Sequence, residues 1–116
     1  MSIGFDLLRE IEKSRTALTI VEGPNDKRAL ERIGFTRVVH LSGPLYGVVE
    51  RVDDDEVLLL TDLDEHGRCL YRRLYHDLTR RGVRVNNRLR LLLFQTPVRQ
   101  IEGLARYLEK IARPLR

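Results

Sequence analysis

The sequence predicts an α/β protein, a compact and mostly parallel four-stranded sheet with helices on both faces. Three observations carry this expectation. Short apolar or β-branched runs at residues 17–21, 37–41, 57–61 and 83–85 alternate with segments of helical period, and such alternation implies right-handed crossovers between parallel strands. The run Leu58-Leu59-Leu60 is uninterrupted by polar residues, as in a strand buried on both faces. The first and third runs end on acids, Glu22 and then Asp62 and Asp64, and in open α/β sheets ligands bind beyond the carboxyl ends of the strands.

Each element has its own justification. Residues 3–14 place Ile3, Leu7, Leu8 and Ile11 on one face, with Ser2 as N-cap, and predict an amphipathic helix. The strand at 17–21 runs into the turn Glu22-Gly23-Pro24-Asn25-Asp26. Pro24 suits the first position of the next helix, and Asp26 lies in its first turn, where a negative charge meets the helix dipole. Ala29, Leu30 and Ile33 give that helix its inner face, and Gly34 suits its C′ position. A second strand at 37–41 leads to Ser42-Gly43-Pro44-Leu45-Tyr46-Gly47, a loop by composition. Val48, Val49 and Val52 fit either a short helix or a turn. Beyond Asp53-Asp54-Asp55-Glu56, the third strand occupies 57–61. Leu70, Leu74 and Leu78, with Tyr71 and Tyr75 alongside, predict a helix over 67–81 closed by Gly82. Residues 83–85 read as a short strand near an edge. Residues 88–94 fit either strand or helix. Thr96-Pro97 is expected to start a last helix, with Ile101, Leu104, Ala105, Leu108 and Ala112 on one side and Pro114 as its stop.

Composition narrows the class. With 116 residues, 42% hydrophobic and 33% charged, the chain is expected to form one globular domain with its own core. No apolar stretch approaches the roughly 18 residues of a membrane span, and the N-terminus lacks a signal peptide's apolar core. The single cysteine, Cys69, permits no internal disulfide. These features predict a cytoplasmic protein with no membrane partner. Cys69 stands beside Leu70 in a helical pattern and is expected to pack in or near the core. The net charge is +4, and the basic residues are eighteen Arg against three Lys. Arginine suits bidentate phosphate recognition, although genome composition or heat adaptation produces the same excess.

The acids carry the chemistry. A carboxylate at the end of a buried strand is costly unless something pairs with it. Residues i and i+2 at a strand end face the same side, so Asp62 and Asp64 can aim at one ion. If the strand at 17–21 is a neighbour, Glu22 adds a third carboxylate. Crowded carboxylates raise at least one pKa, and a hard cation relieves them. Mg²⁺, with Mn²⁺ as substitute, is the usual occupant of carboxylate sites that handle phosphates. One Cys and three scattered His do not make a zinc site. Taken alone, Asp62 and Asp64 serve equally well as the polar cap of a following helix. Lys27, His66 and Arg68 are candidate phosphate or substrate contacts, each otherwise a solvated side chain. Arg72, Arg73, Arg80 and Arg81 either solvate a helix or follow a nucleic-acid backbone. His40 and His76 read as surface or strand-end residues, and Glu102 as an anchor between helix and loop or else a fourth site residue.

Val21-Glu22-Gly23-Pro24-Asn25-Asp26 and Thr61-Asp62-Leu63-Asp64-Glu65-His66-Gly67 resemble the two signature motifs of the Toprim domain. That domain is shared by topoisomerases of types IA and II, DnaG-type primases, RecR recombination proteins, OLD-family nucleases and ribonuclease M5. The resemblance spans a motif core at 17–85, between the helix at 3–14 and a helical segment at 87–113. Val-Glu-Gly-x-x-Asp-Lys-Arg-Ala-Leu resembles the ribonuclease M5 catalytic domain and the small stand-alone Toprim proteins of archaea and bacteria. Asn86 and Ile101-Glu102-Gly103-Leu104 look most like the archaeal group, which favours a helix at 88–94.

The resemblance implies Mg²⁺ on Asp62 and Asp64, and Glu22 as general acid or base or as a further metal ligand. Asp26 matches the acid of the first motif, and Gly23 and Gly67 match the turn glycines. The departures are specific. The 116 residues are expected to hold no domain with a tyrosine nucleophile, no primase zinc domain and no ribonuclease M5 substrate region, and Leu63 stands where ribonuclease M5 commonly has proline. The implied activity is Mg²⁺-dependent chemistry on RNA or DNA phosphodiesters, cleavage before synthesis. The alternatives are a non-catalytic module that binds nucleic acid or a partner protein, and a primase-like nucleotidyl transferase. A homodimer, or a larger partner that selects the substrate, fits a head of this size.

Overall fold

The computed structural model describes residues 3–112, so the expectations for Ser2 and Pro114, and for the side chain of Ala112, lie outside the described residues. The elements are α1 (Ile3–Ser14), β1 (Thr19–Val21), α2 (Pro24–Arg32), β2 (Val38–His40), α3 (Leu45–Glu50) and β3 (Glu56–Leu59). They continue with α4 (Glu65–Arg80), β4 (Arg84–Asn86), α5 (Arg88–Leu93), a 3₁₀ turn (Ile101–Gly103) and α6 (Leu104–Ala112). The four strands are all parallel, in the order β2-β1-β3-β4. Arg84–Asn86 takes the edge, as its short run predicts.

Alternation along each strand divides the core into two layers. Val57 and Leu59 point to one face, with Ile20, and pack against Val48 and Val49 of α3 and Leu74 and Leu78 of α4. Leu58 and Leu60 point to the other, with Val21 and Val38, and pack against Leu7, Ile11, Leu30, Leu89, Leu93 and Leu104. Helices α1, α2, α5 and α6 therefore cover one face, and α3 and α4 the other. The chain leaves β1 towards β2 through α2 on the first face. It moves the opposite way, to β3 and then β4, through α3 and α4 on the second face. A constant crossover hand requires this change of face when the direction reverses. The reversal falls between β1 and β3, which is where a doubly wound sheet opens a crevice at its carboxyl edge.

The two ambiguous segments resolve as helices for most of their length: Val48 and Val49 lie in α3 with Val52 beyond its end, and residues 88–93 form α5 with Phe94 just after it. Gly34 (φ +103°) and Gly82 (φ +85°) turn the chain after α2 and α4 in the left-handed region. Three expectations fail. Leu45, Tyr46 and Gly47, expected in a loop, form the first half of α3. The last helix does not start at Thr96-Pro97. The Thr96 hydroxyl donates to Leu93 O (2.7 Å) and accepts from Val98 N (3.1 Å). The chain then runs on as a strap, because Arg99 O accepts from Leu63 N (2.7 Å) and Ile101 N donates to Asp62 Oδ1 (2.8 Å). Helical winding would withdraw both bonds from the acid loop. Cys69 is exposed rather than buried. The inner face of α4 is Gly67, Leu74 and Leu78, and Cys69, two residues on from Gly67, sits about 200° round the helix. Among the described residues no helix is long and apolar enough to cross a membrane.

Candidate functional site

Glu22 follows the last residue of β1, and Asp62 lies just beyond β3, so the switch point brings them together. The main-chain N–H of Asp62 donates to Glu22 Oε2 at 2.6 Å, a bond between the two central strand ends. Asp64 is the N-cap of α4, and its Oδ1 accepts from Gly67 N at 2.8 Å. The Thr61 hydroxyl donates to Gly67 O at 2.7 Å, which draws the first turn of α4 against the loop. A Cβ on Gly67 would stand 1.9 Å from the carbonyl oxygen of Asp62, so close approach of backbone to backbone demands glycine here. Gly23 differs. It caps α2 with extended backbone, and a Cβ there would meet only Asp26 Oδ2, at 3.9 Å.

Four carboxylates are each oriented by one main-chain N–H. Glu22 accepts from Asp62, Asp62 Oδ1 from Ile101, Asp64 Oδ1 from Gly67, and Asp26 Oδ2 from Gly23 at 3.1 Å. Asp64 Oδ2 also takes the Gln100 amide at 3.3 Å. Burial raises the pKa of Glu22, and the charges of Asp62 and Asp64 add to it, against the Asp62 N–H and His66. Burial raises that of Asp62 too, with Asp64 and Glu102 adding, against the Ile101 N–H and Arg90. Asp26 is pushed up to about 6, by burial first and then by Asp62, with Glu102 and Glu22 contributing. Each of these acids therefore feels the charge of others, Glu102 included, but Glu22, Asp62 and Asp64 do not draw together into one three-acid group. Glu102 is exposed and, among the described residues, forms no salt bridge that would make it an anchor.

Compensating cations are scarce. His66 Nε2 lies 3.9 Å from Glu22 Oε1, and no salt bridge among the described residues reaches Asp26, Asp62 or Asp64. An all-oxygen set of carboxylates, with Glu22, Asp26 and Asp62 raised in pKa, suits a hard divalent cation. Among the described residues, no group of three or more His, Cys, Asp or Glu is gathered tightly enough to hold an ion. Mg²⁺ does not need such a cage, because it commonly binds through one or two carboxylates and keeps several waters.

The nearest arginine serves the loop's backbone instead of its carboxylates. Arg90 is buried, 3% exposed. Its Nη1 donates to Thr61 O (2.7 Å) and its Nη2 to Asp62 O (3.2 Å). The guanidinium lies over the Tyr71 ring (4.5 Å to the centroid) and the Phe94 ring (5.4 Å), and burial lowers its pKa. Planar, bidentate and stacked, this position uses what arginine has and lysine lacks. Sequence reasoning missed it. On a helix at 88–93, Arg90 shares a face with Leu89 and Leu93; a segment readable as strand or helix hides that phase.

The candidate phosphate contacts separate. His66 stands at the acids. Arg68 lines a cleft of about 220 Å³ between α4 and α5. Lys27 lines a different cleft, of about 540 Å³, with Arg37, His40 and Arg51.

The Toprim domain model matches residues 17–89. A UPF0292 protein of Methanocaldococcus jannaschii is 34% identical over 99 residues, covering 78% of this chain and 77% of that protein. A UPF0292 protein of Pyrococcus horikoshii is 35% identical over 102 residues, covering 85% and 74%. One of Methanosarcina barkeri is 31% identical over 118 residues, covering 91% and 80%. A solved structure of a protein from Aquifex aeolicus superposes with a TM-score of 0.76 at 33% identity, over 85% of this chain and 95% of that one.

Proposed function

Because this chain belongs to the Toprim family, whose members work in metal-dependent nucleic-acid metabolism, we propose that it cleaves nucleic-acid phosphodiesters with Mg²⁺. The observation that carries the reading is the Glu22–Asp62 bond (2.6 Å) at the switch point, which sets oriented, crowded carboxylates where an α/β sheet binds its ligand. Asp62 and Asp64 would hold the ion, with water completing its shell. When bound, Mg²⁺ supplies Lewis-acid polarisation of a phosphoryl oxygen and stabilises charge on the attacking or leaving oxygen.

The chain's own groups do the rest. Glu22 has one oxygen fixed on Asp62 N and the other facing His66, and burial raises its pKa. It is placed to take the proton of an attacking water or hydroxyl, or to return one to the leaving oxygen. Arg90 holds the carbonyls of Thr61 and Asp62 and so fixes the angle at which the Asp62 carboxylate is presented.

The test is incubation of the purified protein with a panel of structured RNAs and DNAs in Mg²⁺ or Mn²⁺. Cleavage is expected and is abolished by Asp62→Asn. An intact panel under both metals contradicts the reading. If affinity for nucleic acid then survives Glu22→Gln and metal removal, the protein is a binding module; templated nucleotide incorporation would instead assign a transferase.

A further inference from the structure

We infer that the cleft between α4 and α5 receives one unpaired, unstacked base of the nucleic-acid strand whose phosphodiester lies at the acids. The inference rests on the proposed function for its polymer and adds the form in which that polymer is bound.

The walls of the cleft are Tyr71, Leu91 and Phe94, with Arg68 and Arg72 beside them. Both arginines are exposed, both rings are half-buried, and Leu91 is 55% exposed. A large apolar side chain displayed on a short helix beside two aromatic rings is a surface suited to a flat apolar ligand. Arg90 also lines the cleft. Its guanidinium contacts Tyr71 and Phe94 and donates to Asp62 O, so cleft and acid loop share a residue. Tyr75 stacks on Tyr71, with centroids 5.8 Å apart and planes at 28°, and Arg99 approaches the Phe94 ring at 6.0 Å.

Charge selects the ligand. Three arginines and no carboxylate line the cleft, whereas the adjoining site is acidic. An apolar ligand carrying negative charge fits the first, and a chain of phosphates running on to a metal fits the second. Arg90 already covers one face of each ring, so the base packs against exposed Leu91 and the exposed ring edges, in the manner of single-strand platforms that interleave aromatic groups with arginines. The volume of about 220 Å³ equals that of about seven waters. It suits one heterocycle, and a base stacked within a duplex does not offer its face to such a cleft.

The test measures binding, by fluorescence anisotropy of the full chain in EDTA at low salt. The probes are a labelled oligothymidylate, the same backbone with abasic sites, and a duplex. The base-bearing strand is expected to bind about tenfold tighter than the abasic strand or the duplex, the size of one stacking contact. Tyr71→Ala removes the preference and Tyr71→Phe keeps it. Leu91→Gln, at an exposed position, reduces the preference even where Tyr71→Ala fails to fold. Equal affinity for base-bearing and abasic strands, or for duplex and single strand, overturns the inference. Base preference without metal-dependent cleavage would sink the proposed reaction and leave the cleft standing. Cleavage without base preference would do the reverse.

Discussion

Gly67→Ala tests how tightly the acid loop is built. The added methyl group would sit 1.9 Å from Asp62 O and 2.5 Å from Asp62 C, so helix and loop must part by more than an ångström. The loop resists, because Asp62 N is held by Glu22, its carbonyl by Arg90 and its carboxylate by Ile101 N. Overpacking costs about 1–3 kcal/mol, and each hydrogen bond lost with it about 1 kcal/mol. Alanine's better helix propensity returns about 1 kcal/mol. The net expectation is a loss of about 3 kcal/mol, or about 10 °C in melting temperature, read by chemical and thermal denaturation under circular dichroism. Gly47→Ala is the internal control. Gly47 lies in α3 with nothing within 4 Å of an added Cβ, so that change gains about 0.5–1 kcal/mol. A Gly67→Ala protein as stable as wild type would refute the close-approach argument.

The other predictions follow from the same site. Arg90→Lys keeps the charge but loses the fork over Thr61 O and Asp62 O and the stack on Tyr71 and Phe94; a loss of about 2 kcal/mol is expected, and an unchanged denaturation midpoint would contradict it. The Asp26 carboxyl is raised from 3.8 to about 6 by burial and by Asp62, so the folded protein holds a proton that the unfolded chain has released. Its contribution to stability is full below pH 3.8 and is lost as pH rises through about 6. Asp26→Asn should therefore be more stable than wild type at pH 7, with the difference shrinking towards pH 4; a constant difference would contradict the shift. Cys69 is exposed and should react with Ellman's reagent in the native protein at the rate of an open thiol. Reaction only after unfolding would restore the buried reading.

The strand ends were legible because an acid that interrupts an apolar run is conspicuous in any chain, and Glu22 and Asp62 do so at two adjacent strands. The capping reading of Asp64 is seen directly in its bond from Gly67 N, and its other carboxylate oxygen takes a Gln100 amide at 3.3 Å. The strap at residues 96–100 was illegible. Thr96-Pro97 is a good helix start locally, and bonds to Leu63 and Asp62, more than thirty residues earlier, decide otherwise. Arg90 was hidden by the same competition. Only the helical phase of α5 turns it inward, and short apolar runs do not declare their period. Cys69 was readable in principle, because the phase set by Leu74 and Leu78 already turns it outward.

Crystals soaked in Mn²⁺, with anomalous differences collected above the manganese edge, test the central claim most directly. One peak is expected about 2.1 Å from carboxylate oxygens of Asp62 and Asp64, facing Glu22, and is expected to vanish in Asp62→Asn crystals. A map with no peak at these acids, or a peak that survives Asp62→Asn, would contradict it.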